Sequence, residues 1–254
     1  MNLTSVRLPY ACKMLKVARP VIGVLLSPGP SKQRTPLSKD RVLSAACRVA
    51  DRAGAEAITM RRVAQELDVE AMSLYHHVAN KEAILDGVVD MVFAAIQLPP
   101  AGHGDWREAI RPRARSMRAV LSQHRWALGL MDSRRDPGPA TLRHHDALLG
   151  VLREAGFTLP MTAHAVSIID SYIGGFVLQE ANLPVKTADD LSEVAGGILE
   201  HLPEEEYPHL TELIVDHALQ PGYDFSGEFD YGLELILDAL EARRGGADPE
   251  AGGR

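Results

Sequence analysis

The chain has 254 residues, of which 46% are hydrophobic and 24% charged, and a net charge of −7, a balance ordinary for a soluble globular protein with a sizeable core. Aromatics are only 5%, so the core must rest on Leu, Val, Ile and Ala, which favours helices. Cys12 and Cys47 are the only cysteines, too few for a disulfide framework or a thiolate-built zinc site, and no uninterrupted run of about 18 apolar residues suggests a spanning helix, so the expectation is a cytoplasmic protein with no membrane partner.

Residues 1 to 39 carry seven Lys or Arg and no Asp or Glu. The apolar patch Val21 to Leu26 runs straight into SPGP, which is short for a signal peptide. The expectation for residues 1–35 is a disordered basic extension, which translation from Met14 or later would shorten or remove. Charge is divided along the chain: residues 1–81 hold 13 basic and 6 acidic side chains, residues 82–254 hold 14 and 28. The front can approach a polyanion that the back repels.

Ser38 followed by apolar residues at Val42, Leu43, Ala46, Val49 and Ala50 predicts a capped amphipathic helix over 39–53, ended by Gly54. Thr59 caps a second helix, MRRVAQEL, with Val63, Ala64 and Leu67 on one face. Asp68, Val69 and Glu70 form a turn. AMSLYHHV makes a third helix with Leu74 and Val78 inward, and Asn80 caps a fourth reaching about Ile96. Helix, tight turn and short second helix is the helix-turn-helix plan, whose second helix enters the major groove. The adjacent His76 and His77 diverge by about 100° on a helix and lack the i,i+4 spacing of a metal pair. With Ser73, Tyr75 and Lys81 they suit phosphate and base-edge contact instead.

The run from Leu37 to Asp90, with TMRRVAQEL, a V-E turn, LYHHV and NKEAILD in order, resembles the DNA-binding domain of the tetracycline-repressor (TetR) family of transcriptional regulators. The later segments WREAI, LSQHR, LREAGF and YGLELILDAL resemble that family's tetracycline-repressor type of C-terminal domain. The resemblance implies that Thr59 and Arg61 meet DNA at the start of the second helix, Arg61 reaching guanine. It implies that Ala71, Met72 and Ser73 open the recognition helix, that Tyr75, His77 and Lys81 hold the backbone around it, and that His76 replaces what can be a larger aromatic, so that sequence preference differs from that of the tetracycline repressor. It further implies a homodimer on palindromic double-stranded operator DNA, released by a small-molecule effector.

Beyond LPPAGHGD the predicted helices cover 106–123, with Pro112 as a possible kink, then 126–131, 141–155 stopped by Gly156, 160–182, 204–219 and 226–244. No period-2 strand pattern or internal repeat interrupts them. The expected fold is all-α: a helix-turn-helix DNA-binding domain over 36–82, and over 83–244 a helical ligand-binding and dimerisation domain joined to it by the fourth helix. Residues 245–254 are expected to be a disordered tail. Gly174 and Gly175 sit inside an apolar helix at about 1 kcal/mol each relative to Ala, which predicts close packing there. The family's four-helix interface assigns Gly174, Gly175, Leu178, Tyr231 and Leu235 to dimerisation. The family's drug-contact positions fall on Gln97, Arg113, Met117, Met131 and Gln179. Met131 stands where the tetracycline repressor has a histidine serving a magnesium–drug chelate, so a different, more apolar effector is expected.

No cofactor, catalytic residue or metal site is expected. The sequence holds no Gly-rich phosphate loop, GxSxG or HExxH. The clusters His144–His145–Asp146 and His201 with Glu204 to Glu206 read as an amphipathic helix and a solvated helix start. A helical dimeric binding protein without DNA function is the alternative to a regulator, and an enzyme the more distant one.

Overall fold

The computed structural model describes residues 36–99, 102, 104–131, 133–184, 188–203 and 205–244. The expected basic extension over 1–35 and the tail over 245–254 lie outside the described residues.

The fold is all-α, with no strand among the described residues. Its helices are α1 (Lys39–Ala53), α2 (Met60–Leu67), α3 (Ala71–Leu74), α4 (Lys81–Ala95), α5 (Trp106–Gln123), α6 (Leu128–Met131), α7 (Pro139–Glu154), α8 (Leu159–Asn182), α9 (Ala188–Leu199), α10 (Pro208–Leu213) and α11 (Gly227–Arg243). Caps explain several of these boundaries. Ser38, Thr59, Asn80, Asp105 and Thr158 each accept a backbone N–H of the helix they begin, satisfying one of the donors that a helix start leaves free. At the other ends, Gly54 (φ +78°) and Gly156 (φ +91°) take backbone angles that other residues adopt at a cost.

The first core gathers Val42, Leu43, Ala46, Ile58, Val63, Leu74, Val78, Ile84 and Val88 from α1 through α4. The second gathers Val89, Val92 and Phe93 of α4 with apolar residues of α5, α7, α8 and α11. The two cores therefore meet inside α4, between Val88 and Val89. Gly87 sits where α1 lies so close that a Cβ would be 2.6 Å from Leu43 Cδ2.

Three elements differ from the sequence expectation. The third helix closes at Leu74, and the chain continues to Val78 through tighter turns, with the His77 N–H bonding the Leu74 carbonyl at 2.8 Å. So short a helix has no stability of its own; burial of Leu74 and Val78 holds it. The helix expected over 204–219 begins at Pro208, which can occupy a first turn because it has no N–H to satisfy, and widens to a π-turn over Ile214–Ala218. Helix α9 was not expected at all.

Candidate functional site

The helix-turn-helix occupies α2 and α3. Asp68 joins them in a left-handed conformation (φ 54°, ψ 49°), which the short polar Asp tolerates better than most residues. Thr59 spends one oxygen lone pair on the Arg62 N–H at 3.2 Å, and its hydroxyl proton is not used in that bond. Thr59, Arg61, Met72, Tyr75 and His76 are exposed, and Ala71, Ser73, His77 and Lys81 are half-buried. Met72 is 74% exposed, the largest value among exposed large hydrophobics and unlike a core methionine. Behind this surface Glu66 receives Arg48 (2.9 Å) and Arg52. Hydrogen bonds from those two guanidiniums hold its carboxyl below the usual range.

A cavity of about 970 Å³ lies in the C-terminal part, walled by Phe93, Met117, Trp126, Met131, Val166 and Leu178 among apolar groups, with His145, Ser167, Asp170 and Ser171 as polar ones. Met117 and Met131 are thus brought to its wall. Gln97, Arg113 and Gln179 are not: Gln97 and Gln179 are exposed, and Arg113 is buried behind the wall. Gly174 and Gly175 also line the cavity. A Cβ on Gly174 would meet only Leu128, at 3.6 Å, and one on Gly175 would meet nothing within 4 Å. The close packing expected at these glycines is therefore absent within the described chain; their missing side chains leave room in the cavity wall. Leu178, Tyr231 and Leu235 are more than half exposed.

Arg113 organises the polar side of the wall. Its Nη1 lies 2.7 Å from Asp170 Oδ1, and its Nε donates to His144 Nε2 at 3.0 Å. That bond assigns the imidazole proton to Nδ1. Burial, then the nearby Arg113 and His145, push the His144 pKa down to about 3, so the ring is neutral near pH 7. His145 turns away, pairing its Nδ1 with the Thr141 carbonyl at 2.9 Å. The two adjacent histidines diverge as the sequence implied, but burial of His144 was not anticipated; it follows from α7 facing Arg113 of α5.

Trp126 joins the two regions. It lines the cavity, packs against both cores, and donates its indole N–H to Asp51 Oδ1 on α1 at 2.7 Å. Asp51 also meets His124 Nδ1 at 2.7 Å, beside Cys47. Sequence reading missed this cluster because its halves lie more than 70 residues apart; the spacing Cys47-x₃-Asp51 on one helix face was its single local signal.

Residues 42–88 match the family model of bacterial regulatory proteins of the tetR family, and residues 98–244 match the tetracyclin repressor-like C-terminal domain. The chain belongs to the TetR family. Within this family of transcriptional regulators it is similar to the HTH-type transcriptional repressor DrrR1 of Streptomyces coeruleorubidus, at 35% identity over 233 residues, covering 87% of this chain and 85% of the relative. The class A tetracycline repressor from transposon 1721 of Escherichia coli is 30% identical over 212 residues, covering 83% and 93%. The solved structure of the Streptomyces coelicolor TetR family protein ActR with actinorhodin superimposes with a TM-score of 0.69 at 28% identity, covering 84% of this chain and all of that one. A TetR-family regulator is also what the helix-turn-helix pattern and the motifs of the first 90 residues implied.

Proposed function

We propose that this TetR-family regulator is a homodimeric repressor that holds a palindromic operator through α2 and α3 and releases it when a small, largely apolar molecule fills the cavity. The observation that carries this reading is the double role of Phe93 and Trp126. Both line the cavity. Phe93 lies on α4, which continues into the first core, and Trp126 holds α1 through Asp51. An occupant that displaces either residue acts on the reading head.

On DNA, Arg61 is the candidate for a guanine O6/N7 contact, and Met72 and Ala71 for thymine methyl groups. Thr59, Ser73, Tyr75, His76, His77 and Lys81 are the candidates for phosphate and neighbouring contacts. The exposure of Arg61, Met72 and Tyr75 supports this assignment. The exposed apolar side chains Leu178, Tyr231 and Leu235 on α8 and α11 support a dimer face there. Two copies would set their recognition helices about 34 Å apart, one turn of DNA. The effector must bind the released state more tightly than the DNA-bound one; a coupling of about 1–3 kcal/mol is typical.

Fluorescence anisotropy on the DNA beside the protein's own gene, against scrambled DNA and across a salt series, tests the regulator reading. Sequence-dependent binding is expected. Equally weak binding to both, repeated on genome-selected fragments, overturns it and leaves a dimeric binding protein without DNA function. Ligand screening begins with actinorhodin and (S)-DNPA, with which ActR structures were solved. The readouts are release of DNA and the emission of Trp126 in the cavity wall.

A further inference from the structure

We propose that Cys47, Asp51 and His124 form a binding site for a zinc ion that fastens the reading head to the effector domain. Cys47 and Asp51 stand one turn apart on α1, and His124 ends α5. Their donor atoms converge to within 4.8 Å of one another. Cys47 Sγ lies 3.8 Å from His124 Nδ1 and 3.8 Å from Asp51 Oδ2, and His124 Nδ1 lies 2.7 Å from Asp51 Oδ1.

Tetrahedral zinc, with bonds of about 2.3 Å to sulfur and about 2.0 Å to nitrogen or oxygen, sets sulfur about 3.5 Å from the other donors and nitrogen about 3.3 Å from oxygen. The sulfur separations, to His124 Nδ1 and to Asp51 Oδ2, differ from this by only a few tenths of an ångström, while the imidazole meets the other carboxylate oxygen, Oδ1. The imidazole–carboxylate gap must open by roughly 0.6 Å on that geometry, a rotation available to the partly exposed Asp51 side chain. Thiolate, imidazole and carboxylate together select zinc over magnesium or calcium, which prefer all-oxygen shells. Three protein donors leave the fourth position to water.

The surroundings fit as well. The Trp126 indole N–H orients Asp51, as an outer-shell donor orients a ligating carboxylate. The charged and titratable groups facing the thiol are Asp51 and Arg48 on its own helix and His124 from α5, and Arg48 is paired with Glu66 of α2. The ion takes the place of the thiol proton, which passes to solvent as the sulfur–zinc bond forms. The site itself is independent of the proposed repressor function. Its consequence rests on that function: zinc would stiffen the joint through which the cavity addresses α1.

The test uses the full-length, metal-stripped protein titrated with Co²⁺, then Zn²⁺, with Mg²⁺ as control. One Co²⁺ per chain is expected, with a thiolate-to-cobalt charge-transfer band in the near ultraviolet that one equivalent of Zn²⁺ removes. The band should survive Cys12→Ser and vanish in Cys47→Ser, and His124→Gln should weaken binding about tenfold or more. Zinc should raise the melting temperature of the wild type and not of Cys47→Ser, with circular dichroism checking that each variant is folded. No band in the wild type, a band persisting in Cys47→Ser, or equal binding by folded wild type and His124→Gln overturns the site. If the band behaves as expected but effector-driven release of operator DNA is the same with and without zinc, the regulatory consequence is overturned. Lack of operator binding at every metal level counts instead against the repressor function.

Discussion

Asp90 on α4 accepts the backbone N–H of Thr141 at 2.8 Å, so the helix that leaves the reading head caps the start of α7. The Thr141 hydroxyl donates to the same carboxylate oxygen at 3.0 Å. Gly138 makes room for the contact, since a Cβ there would sit 2.2 Å from Asp90 Cγ. Arg134, in the segment before α7, adds ion pairs to Glu82 (2.9 Å) and Asp86 (3.5 Å) of α4. Asp90→Ala should lower unfolding free energy by about 1 kcal/mol, the usual value of a helix cap. Gly138→Ala should also lower it, because the added Cβ collides with the Asp90 carboxylate and pushes it from its place at the start of α7. Urea denaturation checks both, and an unchanged midpoint for Gly138→Ala would contradict the close approach.

Arg61→Ala should weaken operator binding by about 1–3 kcal/mol and relax sequence preference, as loss of one base contact does. Lys81→Ala should weaken binding to all sequences and flatten the salt dependence by roughly one ion. Neither variant should shift the melting temperature by much, because Arg61 is exposed and Lys81 half-buried outside the core. Anisotropy against salt, with melting as control, separates the two roles.

Leu235 is 55% exposed and Tyr231 67% exposed on α11. A charge at Leu235 should leave the chain folded and disrupt association, because an apolar dimer face accepts an unpaired carboxylate only at high cost. Sedimentation equilibrium of Leu235→Glu should show monomers at concentrations where the wild type is dimeric. A dimer of unchanged strength would move the interface elsewhere.

His144 gives the protein a pH signature. Its folded-state pKa of about 3 lies below the usual value of about 6.5 that it regains on unfolding. Between those values the unfolded chain binds more protons, so stability falls as pH drops from about 6.5 towards 3, by at most about 1.4 kcal/mol per unit. Glu66, Asp224 and Glu234 are lowered carboxyls; their contribution is lost only as pH falls below the ordinary carboxylate range, so the window from pH 5 to 6.5 isolates the histidine from them. His144→Gln retains an acceptor for Arg113 without titrating. Its denaturation midpoint should vary less than that of the wild type across this window, and an unaltered pH slope would refute the assignment.

The reading head was legible in the sequence because its instructions are local. Ser38, Thr59 and Asn80 cap their own helices within three residues, and Leu74 with Val78 marks the buried side of α3 and the turns that follow it. Local signals ran out where neighbours in space decide. The glycine pair at 174 and 175 suggested close packing against a second subunit, and within the described chain both glycines line a cavity. The run around His144 read as an amphipathic helix on which the two histidines diverge, without showing that the His144 ring is the fully buried one. In α9, ADDLSEVAGGIL carries two adjacent glycines, which lower intrinsic helix propensity and hid the helix.

By itself the sequence determined an all-α chain with a helix-turn-helix at the front, since capping, hydrophobic period and turn chemistry act over three to seven residues, and the resemblance of its motifs pointed to a TetR-family regulator. Only the tertiary structure decided what lies behind that head. Arg113 meets His144 across 31 residues, Asp51 meets Trp126 across 75, and Cys47 meets His124 across 77. Those pairs, and the cavity beside them, exist because α5, α7 and α8 bury their apolar faces in one core while Trp126 packs against both that core and the one containing α1, and which polar side chains this brings face to face is set by packing between helices rather than by spacing along any one of them.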